Sequence, residues 1–91
     1  MKLSFTYRAA TDLQRLRAFI AKDNPLAARR QIDALRRSIR HLVDHPHMGR
    51  AIDEASGMRQ WASGDYVVRY FVDDEMLTVN RIWHGKEDRP A

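Results

Sequence analysis

The sequence predicts an α+β domain with the element order β-α-α-β-β-β, a helical hairpin packed on a mostly antiparallel sheet. Three observations predict it. Apolar residues alternate with polar ones at the start, recur at spacings of three and four through the first half, and gather in β-branched and aromatic runs after residue 57. The expected boundaries are a strand over 1–7, a helical hairpin over 8–45, a three-stranded meander over 57–84 and a tail over 85–91. All belong to a single domain over 1–91, since 91 residues suffice for one domain and not two.

The opening strand rests on Leu3, Phe5 and Tyr7, which alternate with Lys2, Ser4 and Thr6 and so line one buried face. The period then changes. Ala9, Leu13, Leu16 and Ile20 form the stripe of an amphipathic helix that ends near Lys22. Asn24-Pro25 marks the next start, because Asn caps a helix well and Pro is preorganised for its first position. The second stripe is Ala28, Ile32, Leu35, Ile39 and Leu42, closed by His45-Pro46. Arg29, Arg36 and Arg40 share a flank roughly 80–120° from that stripe, at 100° per residue. The short link between the helices makes them an antiparallel hairpin.

A loop follows, with Met48-Gly49-Arg50 and Ser56-Gly57. Met58-Arg59-Gln60-Trp61 is the first strand of the meander, and Tyr66 to Val72 is the most strongly β-like run of the chain. Asp73-Asp74-Glu75 is a turn. Met76 to Trp83 carries apolar residues on both faces, which suits a central strand. The remainder is a polar, extended end.

Composition narrows the function. The hydrophobic fraction of 44% belongs to a globular chain, and the absence of cysteine removes disulfide frameworks and thiolate metal sites. The start lacks the long apolar run of a secretory leader, and no stretch approaches a membrane span, so a cytoplasmic protein with no membrane partner is expected. The net charge of +4 is unevenly placed. Residues 1–45 carry ten Lys/Arg against four Asp/Glu, a net of +6; residues 46–91 carry six against eight, a net of −2. The basic half favours an anionic partner such as nucleic acid, ribosome or an acidic peptide, and the competing reading is a solvated face that keeps the chain soluble.

Several pieces in order carry a resemblance. They are the first strand followed by Ala9 and Leu13, Asn24-Pro25 with Ala27-Ala28, and Leu42 through Pro46 to Gly49-Arg50. Gly57 and Arg59, Tyr66-Val67-Val68-Arg69-Tyr70 and Ile82-Trp83-His84 complete the set. Together they resemble the ParE/RelE superfamily of toxins from type II toxin–antitoxin systems. The resemblance implies the RelE/ParE-like fold, growth inhibition, and silencing by a cognate antitoxin that wraps the toxin and supplies contact with operator DNA. RelE-like members cut mRNA on the ribosome; ParE-like members poison DNA gyrase by binding.

Cleavage of RNA through its own 2′-hydroxyl needs a base, cations for the phosphate and an acid for the leaving oxygen. The RelE-like nucleases resemble one another in an arginine after the tyrosine of the long strand, and in an arginine and a tyrosine of the tail. Here Val67 follows Tyr66, Glu87 aligns with the tail arginine, and no tyrosine follows Tyr70. A second pattern pairs a glutamate base with a terminal His-Tyr. Glu54 and His84 are its nearest match, but Gly85 follows His84. A catalytic set is therefore not expected; if the chain is a nuclease, His84, Arg59 and Glu54 are the candidates.

The tail His84-Gly85-Lys86-x-Asp88 looks like ParE-like endings, which favours a plasmid-stabilisation toxin that inhibits DNA gyrase by binding. The alternatives are a ribosome-dependent mRNA endoribonuclease and a degenerate member that only binds antitoxin. Target-binding candidates are Arg59, Trp61, Arg69, Trp83, His84, Lys86 and Arg89, since Trp and Arg dominate binding hot spots. Core packing is the competing role for Trp61 and Trp83, and surface ion pairing for the arginines. Antitoxin-binding candidates are Leu16, Ile20, Arg29, Arg36, Arg40 and Tyr66, apolar grooves giving affinity and arginines steering. His41 and His45 stand one helical turn apart with His47 nearby, yet zinc wants four ligands, and a polar helix end explains them better. No metal and no cofactor is expected.

Overall fold

The computed structural model describes residues 1–87, and within them the chain runs β1 (Lys2–Phe5), α1 (Tyr7–Ala21), α2 (Pro25–Asp44), β2 (Arg50–Asp53), β3 (Met58–Ser63), β4 (Tyr66–Val72) and β5 (Met76–His84). The hairpin of α1 and α2 lies on one sheet with strand order β1-β5-β4-β3-β2. β1 runs parallel to β5, and the other neighbours are antiparallel. The α+β class and the mostly antiparallel sheet are as the sequence predicts.

Two elements differ from the expectation. Tyr7 does not close the first strand; it opens α1 and is 87% exposed. The reason is Thr6, whose Oγ1 accepts the Ala9 N–H at 3.1 Å and caps the helix one residue after β1 ends. The region after α2 also holds a strand, β2, where a loop is expected. All four of its residues are exposed, so no alternating burial marked it, and it is held by backbone pairing to β3.

The second helix matches its stripe closely. Asn24 Oδ1 accepts the Ala27 N–H at 3.0 Å, Pro25 takes the first turn, and Ala28, Ile32, Leu35, Ile39 and Leu42 are all buried. Ile32, Leu35, Ile39 and Leu42 meet Val68 and Tyr70 of β4 and Leu77, Val79 and Ile82 of β5 in the core. The register between β4 and β5 shifts between Arg69 and Tyr70, which leaves Asn80 as the extra residue of a bulge. Past the bulge, Tyr66 faces His84 and Val68 faces Ile82, while Val67 pairs with Trp83. Residues 66, 68 and 70 therefore share the helix-facing side with Ile82 and His84, and Val67, Arg69 and Trp83 belong to the opposite side.

β1 is too short to cover β5. Its pairing stops at Phe5 opposite Val79, which leaves the edge from Asn80 to His84 without a strand. Side chains take over the ladder there. Thr6 Oγ1 donates to Asn80 O at 2.9 Å, Asp12 Oδ2 accepts the Ile82 N–H at 2.9 Å, and Arg15 Nη2 donates to Ile82 O at 3.3 Å. Glu87 Oε1 accepts the His84 N–H at 2.8 Å. Buried backbone groups need partners, and one helix and one turn supply them where the sheet does not.

At the other end, Tyr70 is fully buried and ties down the segment after α2. Its hydroxyl donates to Pro46 O at 2.7 Å and accepts the Gly49 N–H at 3.0 Å. Arg59 secures the same segment, donating through Nε to Gly49 O at 2.9 Å and through Nη2 to His47 O at 3.2 Å.

Candidate functional site

A groove of about 390 Å³ opens where α1, the start of α2 and the ends of β4 and β5 converge. Its wall from α1 carries Leu16 and Ile20, one turn apart, and Phe19, which is 70% exposed at the rim. Tyr66 contributes its ring. Its hydroxyl donates to Gln31 Oε1 at 2.7 Å, and the His84 ring meets it edge-on, centroids 5.4 Å apart at 85°. Burial, then the charges of Asp65 and Glu87, pushes the Tyr66 phenol above its ordinary value, so at neutral pH it stays protonated and acts as a donor.

The mouth of the groove is charged. Arg15 pairs with Glu87, and Lys86 stands beside them. The Lys86 N–H donates to His84 Nδ1 at 3.0 Å, which places the lone pair of a neutral ring on Nδ1 and its proton on Nε2. Behind this mouth sits Asp12, 4% exposed, which accepts from Arg81 Nε at 2.9 Å and Arg81 Nη2 at 3.2 Å as well as from Ile82 N–H. Burial is the largest influence on the Asp12 carboxyl and raises its pKa. The hydrogen bonds from Arg81 and Ile82, the Arg81 charge and the Arg15 bond outweigh it and hold the group below the ordinary carboxylate value.

The antitoxin-binding candidates fall in three places. Leu16, Ile20 and Tyr66 line the groove, Leu16 and Tyr66 being largely buried so that only their edges face it. Arg29 and Arg36 instead border a hollow of about 280 Å³ with Arg17, Ile32 and Asp33, and Arg40 borders another with Leu3, Phe5 and Val43.

The target-binding candidates are spread over three places. Arg59 is engaged with the carbonyls of the 47–49 segment, and Trp61 packs on the core from the helix-facing side of β3. Arg69 lies 4.9 Å over the ring of Trp83 on the opposite side of the sheet and donates to Gln60 Oε1 at 3.3 Å. His84 and Lys86 belong to the groove mouth, and Arg89 lies outside the described residues.

The nuclease candidates do not converge. Glu54 follows β2 at the end where Asp53 pairs with Met58 and Met58 with Phe71, whereas His84 pairs with Tyr66 and Tyr66 with Ser63. Five residues of β3 separate those two rows, about 17 Å at 3.3–3.4 Å per residue. The register of the sheet thus keeps Glu54 away from His84. The rings of His41 and His45 are 4.7 Å apart beside Pro46 and Met48, and no group of three or more His, Asp or Glu able to hold a metal occurs among the described residues. No helix among them is long and apolar enough to cross a membrane.

Sequence reasoning missed Asp12, Arg15 and Phe19. A signal existed for Asp12: it stands three residues after Ala9 and beside Leu13, a charge on the edge of an otherwise apolar stripe, which calls for a buried partner. Arg15 and Phe19 carried no such mark.

The sequence model of the family described as "ParE toxin of type II toxin-antitoxin system, parDE" matches residues 3–89. Toxin RelE2 of Caulobacter vibrioides is 34% identical over 81 residues, covering 89% of this chain and 91% of that protein. Toxin RelE1 of the same organism is 32% identical over 84 residues, 90% of each chain. Among solved structures, one titled as the chromosomal ParDE system from P. aeruginosa superposes with a TM-score of 0.77 at 21% identity, over 92% of this chain and 95% of that one. A RelBE2 toxin–antitoxin complex from Mycobacterium tuberculosis gives 0.64 at 23% identity, over 91% and 95%. The names span both branches of the superfamily.

Proposed function

Since this chain belongs to the ParE toxin family of type II toxin–antitoxin systems, we propose that it inhibits growth by binding DNA gyrase and is silenced by a cognate antitoxin. The observation that carries the binding mode is Glu87. Where the resembling nucleases have a cation to stabilise the phosphate, this chain has a carboxylate, hydrogen-bonded by the His84 N–H and paired with Arg15. A negative charge there repels the phosphate whose transition state needs a cation. The raised phenol of Tyr66 is also a poor base at neutral pH.

The antitoxin reading has two supports. The groove between α1, Tyr66 and His84 suits apolar anchors, with Phe19 already exposed to receive them. The arginine-bordered hollows on the rest of the hairpin suit an acidic continuation of the same segment. The two solved structures described above come from toxin–antitoxin systems, which favours the same partner class. Operator DNA is then met through the antitoxin. Arg69, stacked over the buried ring of Trp83 on the other side of the sheet, is the target contact that lies clear of the groove.

A second reading, a ribosome-dependent endoribonuclease, draws on the RelE names of the 34% and 32% identical relatives. Purified gyrase and mRNA-programmed ribosomes tested side by side decide between them. The gyrase reading expects blocked supercoiling and accumulated cleavage complexes with mRNA intact; codon-positioned cuts with gyrase unaffected overturn it.

A further inference from the structure

Two carboxylates occupy the strandless edge of β5, and they are held unequally. Asp12 is buried, accepts the Ile82 N–H and is gripped by Arg81 through two further bonds. Glu87 accepts the next donor on the same edge, the His84 N–H, at 2.8 Å, and pairs with Arg15. Its side chain keeps 35% of its surface exposed, and Arg15 keeps 41%. Glu87 also stands at the mouth of the groove, with Lys86 beside it, whereas Asp12 is sealed behind. Asp12 is therefore a fixed part of the fold and Glu87 a replaceable occupant.

We infer that the Arg15 guanidinium and the His84 N–H form an oxyanion seat filled by Glu87 in the free chain, and that a carboxylate side chain of the antitoxin displaces Glu87 when its docking segment fills the groove. This rests on the reading of the groove as the antitoxin's seat. A guanidinium and a backbone N–H converging on one carboxylate are the donors that recognise an acidic side chain, and such charge-assisted bonds are strong enough to order a segment yet exchangeable when exposed. Displacement keeps the charge balance, one carboxylate leaving as another enters. With Glu87 withdrawn, Arg15 and Lys86 face the incoming group; Asp12, held closely by Arg81, keeps a longer 3.4 Å contact with Arg15 Nη2 and leaves Nη1 to the seat, and the charge of Asp65 acts on Tyr66. The latch makes the free toxin a less ready binder. If it is closed nine-tenths of the time, the apparent affinity of the entering segment falls about tenfold.

The direct test titrates sodium acetate into the full chain and into Glu87→Ala while following the His84 amide and the Arg15 guanidinium by NMR. Glu87→Ala is expected to give a saturable response at those two groups, with the wild type needing several-fold more acetate. Equal responses, or none in Glu87→Ala, overturn the seat; saturation by inorganic phosphate but not acetate overturns its assignment to a carboxylate. The second measurement uses the antitoxin encoded by the adjoining reading frame. Glu87→Ala is expected to bind it about three- to tenfold more tightly at unchanged melting temperature. Phe19→Asp tests the groove separately. If Phe19→Asp abolishes binding while Glu87→Ala leaves it unchanged, the latch is wrong and the groove stands; if Phe19→Asp leaves binding intact, the groove reading itself falls.

Discussion

Asp12 of the first helix accepts the backbone N–H of Ile82 at 2.9 Å across 70 residues of sequence. This bond completes the edge of β5 where β1 runs out, and Arg81 neutralises the charge that the bond brings inside. Asp12 thereby ties the hairpin to the sheet, together with the bond from Arg15 to Ile82 O.

Asp12→Ala is expected to destabilise the chain by about 3 kcal/mol, because it leaves the Ile82 N–H unpaired and strips Arg81 of its counter-charge. Arg81 is only partly buried, so the cost belongs at the low end of the range for buried pairs. Urea unfolding measures it; a loss under 1 kcal/mol would show that water replaces the carboxylate without penalty.

The same residue predicts how stability responds to acid. The folded-state pKa of Asp12 is depressed, so its contribution is complete above the unfolded value and is lost as pH falls through the folded one. The melting temperature is expected to decline below about pH 4. Asp12→Asn, less stable at neutral pH, is expected to show a shallower decline, and parallel curves for the two proteins would assign the acid loss to other groups.

Gly49 is required for a steric reason. A Cβ there would come within 2.7 Å of the Tyr70 hydroxyl and 3.0 Å of Gln60 O. Gly49→Ala must therefore push Tyr70 off the Pro46 and Gly49 bonds, at a cost of about 1–3 kcal/mol. Tyr70→Phe removes both bonds without the clash and should cost about 1–2 kcal/mol. In the double variant the two losses should not add, which denaturation of all four proteins would reveal.

The two proposed binding surfaces lie on different sides of the sheet, so their losses should separate. Arg69→Ala is expected to weaken gyrase inhibition by about tenfold and to leave antitoxin affinity within twofold. Phe19→Asp is expected to do the reverse. Supercoiling assays and calorimetric titration with antitoxin read the two properties, and joint loss in either variant would argue for one shared surface.

What the sequence determined by itself was the set of local elements. The stripe of α2, its Asn24-Pro25 start and the β-rich runs after residue 57 were legible because each is written in spacings of one to four residues. β2 was not, since an exposed strand paired through its backbone leaves no burial pattern. The interior place of β5 was legible in its two apolar faces, but its neighbours β1 and β4 came only with the tertiary structure, and so did the distribution of the candidate residues. Register decided that Glu54 stands far from His84, that Arg69 covers Trp83, and that Arg59 holds a loop. Asp12, Arg15 and Glu87 meet because the first helix substitutes for a strand along β5. Nearest-neighbour patterns record the periodicity of a helix or strand; they carry nothing about which distant edge is left short of hydrogen bonds, and that shortage is what assembled the groove mouth.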